Sequence, residues 1–108
     1  MADAGWVRVA KAADVGAGKV LGVRVGARDL AVFHMADGKF CVTDNVCTHE
    51  FALLSDGWFE DGCIECPLHA GRFDVKTGKG QGAPIDKDLD VFEAKLEDGH
   101  ILAKLPVK

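Results

Sequence analysis

Short apolar runs with a spacing of two, broken by glycine-containing turns, most constrain how this chain can fold. The runs of this kind are 20–25, 30–35, 40–43, 90–96 and 100–105, and such spacing is typical of strands rather than helices. Asp-Gly steps at 37–38 and 98–99 separate neighbouring runs, and this dipeptide favours a tight hairpin turn. With 13 glycines in 108 residues, we predict an all-β fold.

Length and charge distribution indicate one domain with two parts. A chain of 108 residues has the size of a single domain. The stretch 47–66 contains five acidic residues and no Lys or Arg, and it is rich in turns. We therefore predict a single domain in which a lobe of about residues 46–83 is inserted in a β base formed by about 1–45 and 84–108.

Composition argues against several functional classes. The formal net charge is −4 and no basic block is present, so the chain is a poor candidate for nucleic-acid binding. No apolar run has the roughly 18 to 20 residues of a transmembrane helix, and the amino-terminal residues do not resemble a signal peptide. We expect a cytoplasmic protein, where four cysteines and four histidines favour metal binding or catalysis over disulfides.

Two short Cys/His pairs are the candidate metal ligands. The first is Cys47 and His49, and the second is Cys66 and His69, with sixteen residues between the pairs. A Cys-x-His pair cannot place both side chains on one face of a helix, so it belongs on a tight loop. One interpretation is a structural zinc site with two cysteines and two histidines. The other is a 2Fe–2S cluster in which one iron takes both cysteines and the other takes both histidines.

These motifs resemble those of the Rieske family. Four further residues support the resemblance: Pro67, Gly71, Phe73 and Asp74. The chain is most similar to the soluble Rieske-type ferredoxins of bacterial aromatic ring-hydroxylating dioxygenase systems. The resemblance implies a Rieske fold of three antiparallel sheets, with one 2Fe–2S cluster at the tip of a small cluster-binding subdomain. It assigns Cys47 and Cys66 to one iron and His49 and His69 to the other.

The resemblance also implies a function. The chain would be a one-electron carrier that passes electrons from an NAD(P)H-dependent flavin reductase to a terminal aromatic-ring-hydroxylating oxygenase. It would not be an enzyme itself, and we expect a monomer that binds neither nucleic acid nor membrane. The residues implied to surround the cluster or to contact partners are Thr48, Glu50, Phe51, Pro67, Leu68, Ala70 and Gly71.

Departures from the family pattern predict a low reduction potential. Rieske proteins of cytochrome bc-type complexes carry a disulfide whose cysteines correspond to Ala52 and Leu68, and they place Ser and Tyr hydroxyls where this chain has Gly71 and Phe73. Hydroxyl donors stabilise the more negative, reduced cluster, so their absence lowers the potential. We expect the low end of the Rieske range, about −150 mV.

Two other functions stay open from the sequence. The chain could be the small Rieske subunit of an assimilatory nitrite reductase, or a zinc-stabilised interaction module. The remaining cysteines and histidines are predicted to be scaffold residues: Cys41, Cys63, His34 and His100. Cys63 and Cys66 form a C-x-x-C motif, but no helix is predicted after it, as a thioredoxin-like pair would require.

Overall fold

The computed structural model describes residues 5–46, 52–67, 71–81 and 88–105. Ten strands lie within these ranges, and they are numbered here in chain order. They are β1 (Trp6–Lys11), β2 (Val20–Val25), β3 (Arg28–His34), β4 (Phe40–Asp44), β5 (Trp58–Glu60), β6 (Cys63–Glu65), β7 (Arg72–Asp74), β8 (Val91–Phe92), β9 (Ala94–Glu97) and β10 (His100–Lys104). Two short 3₁₀ turns accompany them, Ala12–Asp14 and Leu54–Asp56.

The strands form three antiparallel sheets. The first has the order β1-β10-β9, the second β2-β3-β4-β8 and the third β5-β6-β7. This arrangement confirms the predicted all-β class with three antiparallel sheets. Within the described residues no helix is long and apolar enough to cross a membrane.

Strand β3 lies at the centre of the molecule because both of its faces are buried. Ala31 and Phe33 project into a core shared with the third sheet, and Leu30 and Val32 project into a core shared with the first sheet. All four side chains are fully buried. The second sheet is therefore the middle of three layers, and the third sheet packs against one of its faces.

One predicted strand is divided in two. The sequence indicates a continuous run over 90–96, but the chain pairs with β4 at β8 and with β10 at β9. The chain thus passes from the second sheet to the first at Glu93, between the two strands. Apolar spacing does not reveal such a change of sheet, because the spacing of two through Phe92, Ala94 and Leu96 continues across Glu93.

An Asp-Gly turn joins the first two strands of the third sheet. Asp61 and Gly62 have φ values of 54° and 77°, the left-handed pair that a tight hairpin turn requires. Asp98 and Gly99 repeat it between β9 and β10, with φ values of 52° and 76°. The third sheet lies inside the stretch predicted as a lobe, while the division of the domain into lobe and base stays a prediction.

Candidate metal centre

One of the four predicted ligands is described by the structure. Cys66 follows β6 directly, and Pro67 and Gly71 lie beside it. The other predicted site residues lie outside the described ranges: Cys47, Thr48, His49, Glu50, Phe51, Leu68, His69 and Ala70. Among the described residues alone, no group of three or more His, Cys, Asp or Glu side chains is placed to bind a metal ion.

The second candidate loop is the connection of the β6–β7 hairpin. Ile64 pairs with Phe73 and Glu65 pairs with Arg72. One residue further on, the Cys66 N–H donates a hydrogen bond to the Gly71 carbonyl oxygen at 2.6 Å. The register of the two strands therefore fixes both ends of the loop that contains Cys66 and His69.

The Cys66 side chain points into the core. Cys66 is 1% exposed and belongs to the same buried cluster as Ile64 and Phe73. Its neighbour on the outer face, Glu65, is only half-buried, as the alternation of a strand requires. A thiolate at this position would be shielded from water on the side of the core.

The first candidate loop is closed at its base by backbone pairing. Val46, the residue before Cys47, forms an isolated antiparallel bridge with Leu53. The Leu54 N–H donates to the Asn45 carbonyl oxygen at 2.7 Å. The chain thus leaves Asn45 and returns to within hydrogen-bonding distance of it after eight residues.

A buried asparagine fastens this loop to the second sheet. Asn45 is 3% exposed. Its Nδ2 donates to Ser55 Oγ at 2.9 Å, and its Oδ1 accepts from the Ser55 N–H at 2.8 Å. The Asn45 N–H donates to the Asp29 carbonyl oxygen at 2.9 Å. We call this arrangement the Asn45–Ser55 clasp.

Gly22 leaves the space that the clasp occupies. A Cβ at Gly22 would lie 2.6 Å from Ser55 Oγ and 2.9 Å from Asn45 Nδ2, closer than side chains tolerate. Sequence reasoning missed the clasp, since an asparagine at the end of a strand reads as an ordinary turn residue. No pattern in the sequence relates Gly22 to Ser55.

The described ends of the two loops contact one buried cluster. Ala52, at the end of the first loop, packs against the buried cluster that contains Cys66, and Leu54 is a member of it. The Cys66 sulfur is a soft donor, and the neighbouring closed loop carries the other Cys/His pair in sequence. Such a set of donors suits zinc or an iron–sulfur cluster. The described residues therefore fit a group that both loops hold.

The other cysteines lie apart from this centre. Cys63 is on the opposite face of β6 from Ile64, and its Sγ lies 3.6 Å from Gln81 Oε1. Cys63 and Cys66 project to opposite faces at the end of a strand, and no helix follows them among the described residues, so the C-x-x-C motif does not form a thioredoxin-like pair. Cys41 is half-buried in β4, and burial raises the pKa of its thiol, which favours the protonated form.

The two described histidines have structural contacts, as predicted. His34 Nδ1 donates to the Val15 carbonyl oxygen at 2.8 Å, and its ring lies against Phe40 with centroids 4.4 Å apart. His100 Nδ1 donates to the Asp98 carbonyl oxygen at 3.1 Å in the β9–β10 turn. Both side chains thus form hydrogen bonds to the backbone of scaffold turns.

Comparison with known proteins covers nearly the whole chain. A family model described as the Rieske [2Fe-2S] domain matches residues 5–93. The ferredoxin component of the naphthalene 1,2-dioxygenase system of Pseudomonas putida is 41% identical over 100 residues, which are 93% of this chain and 95% of that protein.

Solved structures show the same architecture. The Sphingomonas yanoikuyae B1 ferredoxin matches with a TM-score of 0.86 and 36% identity, covering 93% of this chain and 98% of that one. A chain in a complex of reduced oxygenase and oxidized ferredoxin in carbazole 1,9a-dioxygenase matches with a TM-score of 0.85 and 37% identity, covering 96% of both chains.

Proposed function

The chain belongs to the Rieske [2Fe–2S] domain family, and from this premise we propose that it is a one-electron carrier for an aromatic-ring-hydroxylating oxygenase. The observation that carries the proposal is the position of Cys66, a buried thiol at the end of a closed hairpin and beside a second closed loop. Relatives at 41% identity over 93% of the chain are ferredoxin components of dioxygenase systems.

The proposed ligands follow the family motif. Cys47 and Cys66 would bind one iron, and His49 and His69 the other. When bound, the cluster accepts and releases one electron at a time. Around it we propose a cover formed by the neighbouring loop residues Thr48, Glu50, Phe51, Pro67, Leu68, Ala70 and Gly71.

The described residues favour a low reduction potential. Phe73 is fully buried in the cluster that contains Cys66. An aromatic ring at this position offers no hydroxyl, so no charge-assisted hydrogen bond from it would stabilise the added negative charge of the reduced state. We therefore propose a potential at the low end of the Rieske range, about −150 mV.

The chain is an electron-transfer component and not an enzyme in its own right. We propose two partners, a flavin-dependent reductase that supplies electrons and a terminal oxygenase that receives them. We also propose that the chain works as a monomer, with the cluster-binding lobe of residues 46–83 carried by the β base. The family match and the ferredoxin relatives favour this carrier over a nitrite reductase subunit or a zinc-stabilised module.

Anaerobic electron transfer tests the proposal. The purified holoprotein is reduced with dithionite, freed of excess reductant and mixed with the oxidised terminal oxygenase of the Pseudomonas putida naphthalene 1,2-dioxygenase system. We expect the visible spectrum of the oxidised carrier to return as one electron per chain passes to the oxygenase. A carrier that stays reduced after mixing contradicts the proposed function.

A further inference from the structure

Three exposed apolar side chains lie on, or pair with, segments that border the two candidate loops. Four large hydrophobic residues are exposed in the described part of the chain: Val46, Leu53, Trp58 and Leu96. Val46 and Leu53 pair at the base of the first loop. Trp58 pairs across the third sheet with Glu65, the residue before Cys66. Single exposed hydrophobic residues need no explanation, but a group at one place indicates an interaction site.

Trp58 belongs to a row of side chains on the outer face of the third sheet. The register aligns Trp58, Glu65 and Arg72 across the three strands. Their neighbours Ile64 and Phe73 are fully buried on the other face. Because cross-strand partners share a face, this row points away from the core, and its middle member, Glu65, immediately precedes Cys66.

The backbone holds Trp58 in place although its side chain is 63% exposed. The preceding Gly57 donates a hydrogen bond to the Leu54 carbonyl oxygen at 2.8 Å. A Cβ at Gly57 would collide with the Glu65 carbonyl oxygen, so only glycine permits this close approach. The backbone position of Trp58 is thus fixed, and its large indole has only two side-chain torsions to restrict on binding.

The charges around this face are predominantly negative. Asp56 and Glu60 are exposed on either side of Trp58, and Glu65 lies beside it in the row. The stretch 47–66 contains no Lys or Arg, and Arg72, the third member of the row, is exposed and positively charged. A complementary partner surface would offer an apolar slot bordered by basic side chains.

We propose that Trp58 anchors the face on which the terminal oxygenase docks, with Val46 and Leu53 contributing apolar contact at the base of the first loop. The inference rests on the proposed function. It extends the surface that contacts the oxygenase from the two loops to the outer face of the third sheet. The oxygenase is chosen as the occupant because a chain 37% identical to this one occurs in a complex of oxygenase and ferredoxin. Trp58 acts here in binding, and the electron passes from the reduced carrier to the oxidised oxygenase.

Binding of Trp58→Ala to the oxygenase tests the inference. The probe is the oxidised terminal oxygenase of the Pseudomonas putida naphthalene 1,2-dioxygenase system, immobilised, with oxidised holoprotein in solution. We expect Trp58→Ala to raise Kd about tenfold or more, as for an interface hot spot. Trp58→Phe, which keeps an aromatic ring, is expected to have an intermediate Kd.

Leu96→Ala is the matched control. Leu96 is 56% exposed, but it lies on β9 of the first sheet. Its truncation is expected to change Kd by less than about twofold, as for surface substitutions generally. Visible spectra and midpoint potentials of all variants should equal those of the wild type, which separates lost docking from a damaged cluster.

Several results would overturn the inference. The first is a Kd of Trp58→Ala equal to that of the wild type. The second is a Leu96→Ala variant that loses as much affinity for the oxygenase as Trp58→Ala does. The third is a Trp58→Ala variant that a reductase reduces more slowly while its Kd for the oxygenase is unchanged. If Trp58→Ala loses its cluster, a wild-type Kd for Trp58→Phe at full cluster content contradicts the anchor role. Wild-type protein that does not bind the oxygenase contradicts the proposed function itself, and the docking inference falls with it.

Discussion

At the scale of single residues, strand alternation separates two cysteines that are close in sequence. Cys63 and Cys66 stand at opposite ends of a four-residue stretch, yet Cys63 faces outward and Cys66 is buried. Only Cys66 stands at the end of the hairpin beside the other loop. The two thiols therefore form a natural pair of test and control.

Cys66→Ser should yield protein without the cluster, since a serine hydroxyl does not replace the thiolate ligand. Cys63→Ser should retain the wild-type content of iron and acid-labile sulfide. Chemical analysis of both purified variants checks this expectation, and circular dichroism reports whether the outer strands stay folded. A complete cluster in Cys66→Ser would contradict the assignment of Cys66 as an iron ligand.

Phe73→Tyr should raise the midpoint potential. The substitution adds a hydroxyl at a buried position where the family resemblance implies a donor to the cluster. One hydrogen bond to a charged group contributes about 1.5 kcal/mol, which corresponds to roughly 60 mV for one electron. Phe59→Tyr adds a hydroxyl to another ring at the same core and should leave the potential unchanged. Redox titration measures the potentials. Equal midpoint potentials for Phe73→Tyr and the wild type would contradict the proposal that the missing hydroxyl at position 73 lowers the potential.

At the scale of elements, the Asn45–Ser55 clasp joins the first loop to the second sheet. Asn45→Ala would leave the half-buried N–H and hydroxyl of Ser55 without these partners. We expect a loss of roughly 1–3 kcal/mol in the free energy of unfolding and faster release of iron to a chelator. Denaturation and chelator kinetics of the holoprotein measure the two effects.

Ser55→Ala is the graded control for the clasp. It removes the Oγ contact but keeps the hydrogen bond from the Ser55 N–H to Asn45 Oδ1, so its effect should be the smaller one. Iron release from Asn45→Ala at the wild-type rate would show that the clasp does not hold the loop.

The sequence predicted the long elements better than the short ones. β2 and β10 lie where apolar spacing and Asp-Gly steps indicated them. β5 and β6 have three residues each, too few for a period of two to be recognised. The position of Cys66 at a loop was predictable from its motif, whereas the clasp depends on contacts between residues far apart in the chain.

At the scale of the whole molecule, the net charge of −4 should influence encounters with partners. Attraction between an acidic carrier and a basic recess accelerates association, and salt screens it over about 10 Å at 0.1 M. We expect the association rate with the oxygenase to fall as ionic strength rises, while the dissociation rate changes less. Stopped-flow mixing over a series of salt concentrations measures both rates. An association rate that does not depend on salt would exclude electrostatic steering.

The central claim is a histidine-ligated 2Fe–2S cluster held by the two loops, and spectroscopy of the purified protein tests it most directly. Metal and sulfide analysis is combined with electron paramagnetic resonance and nitrogen hyperfine spectroscopy of the dithionite-reduced sample. The account predicts two irons and two labile sulfides per chain, with couplings from two imidazole nitrogens. A colourless protein with one zinc per chain and no labile sulfide would contradict it, and would make the same four residues a structural zinc site.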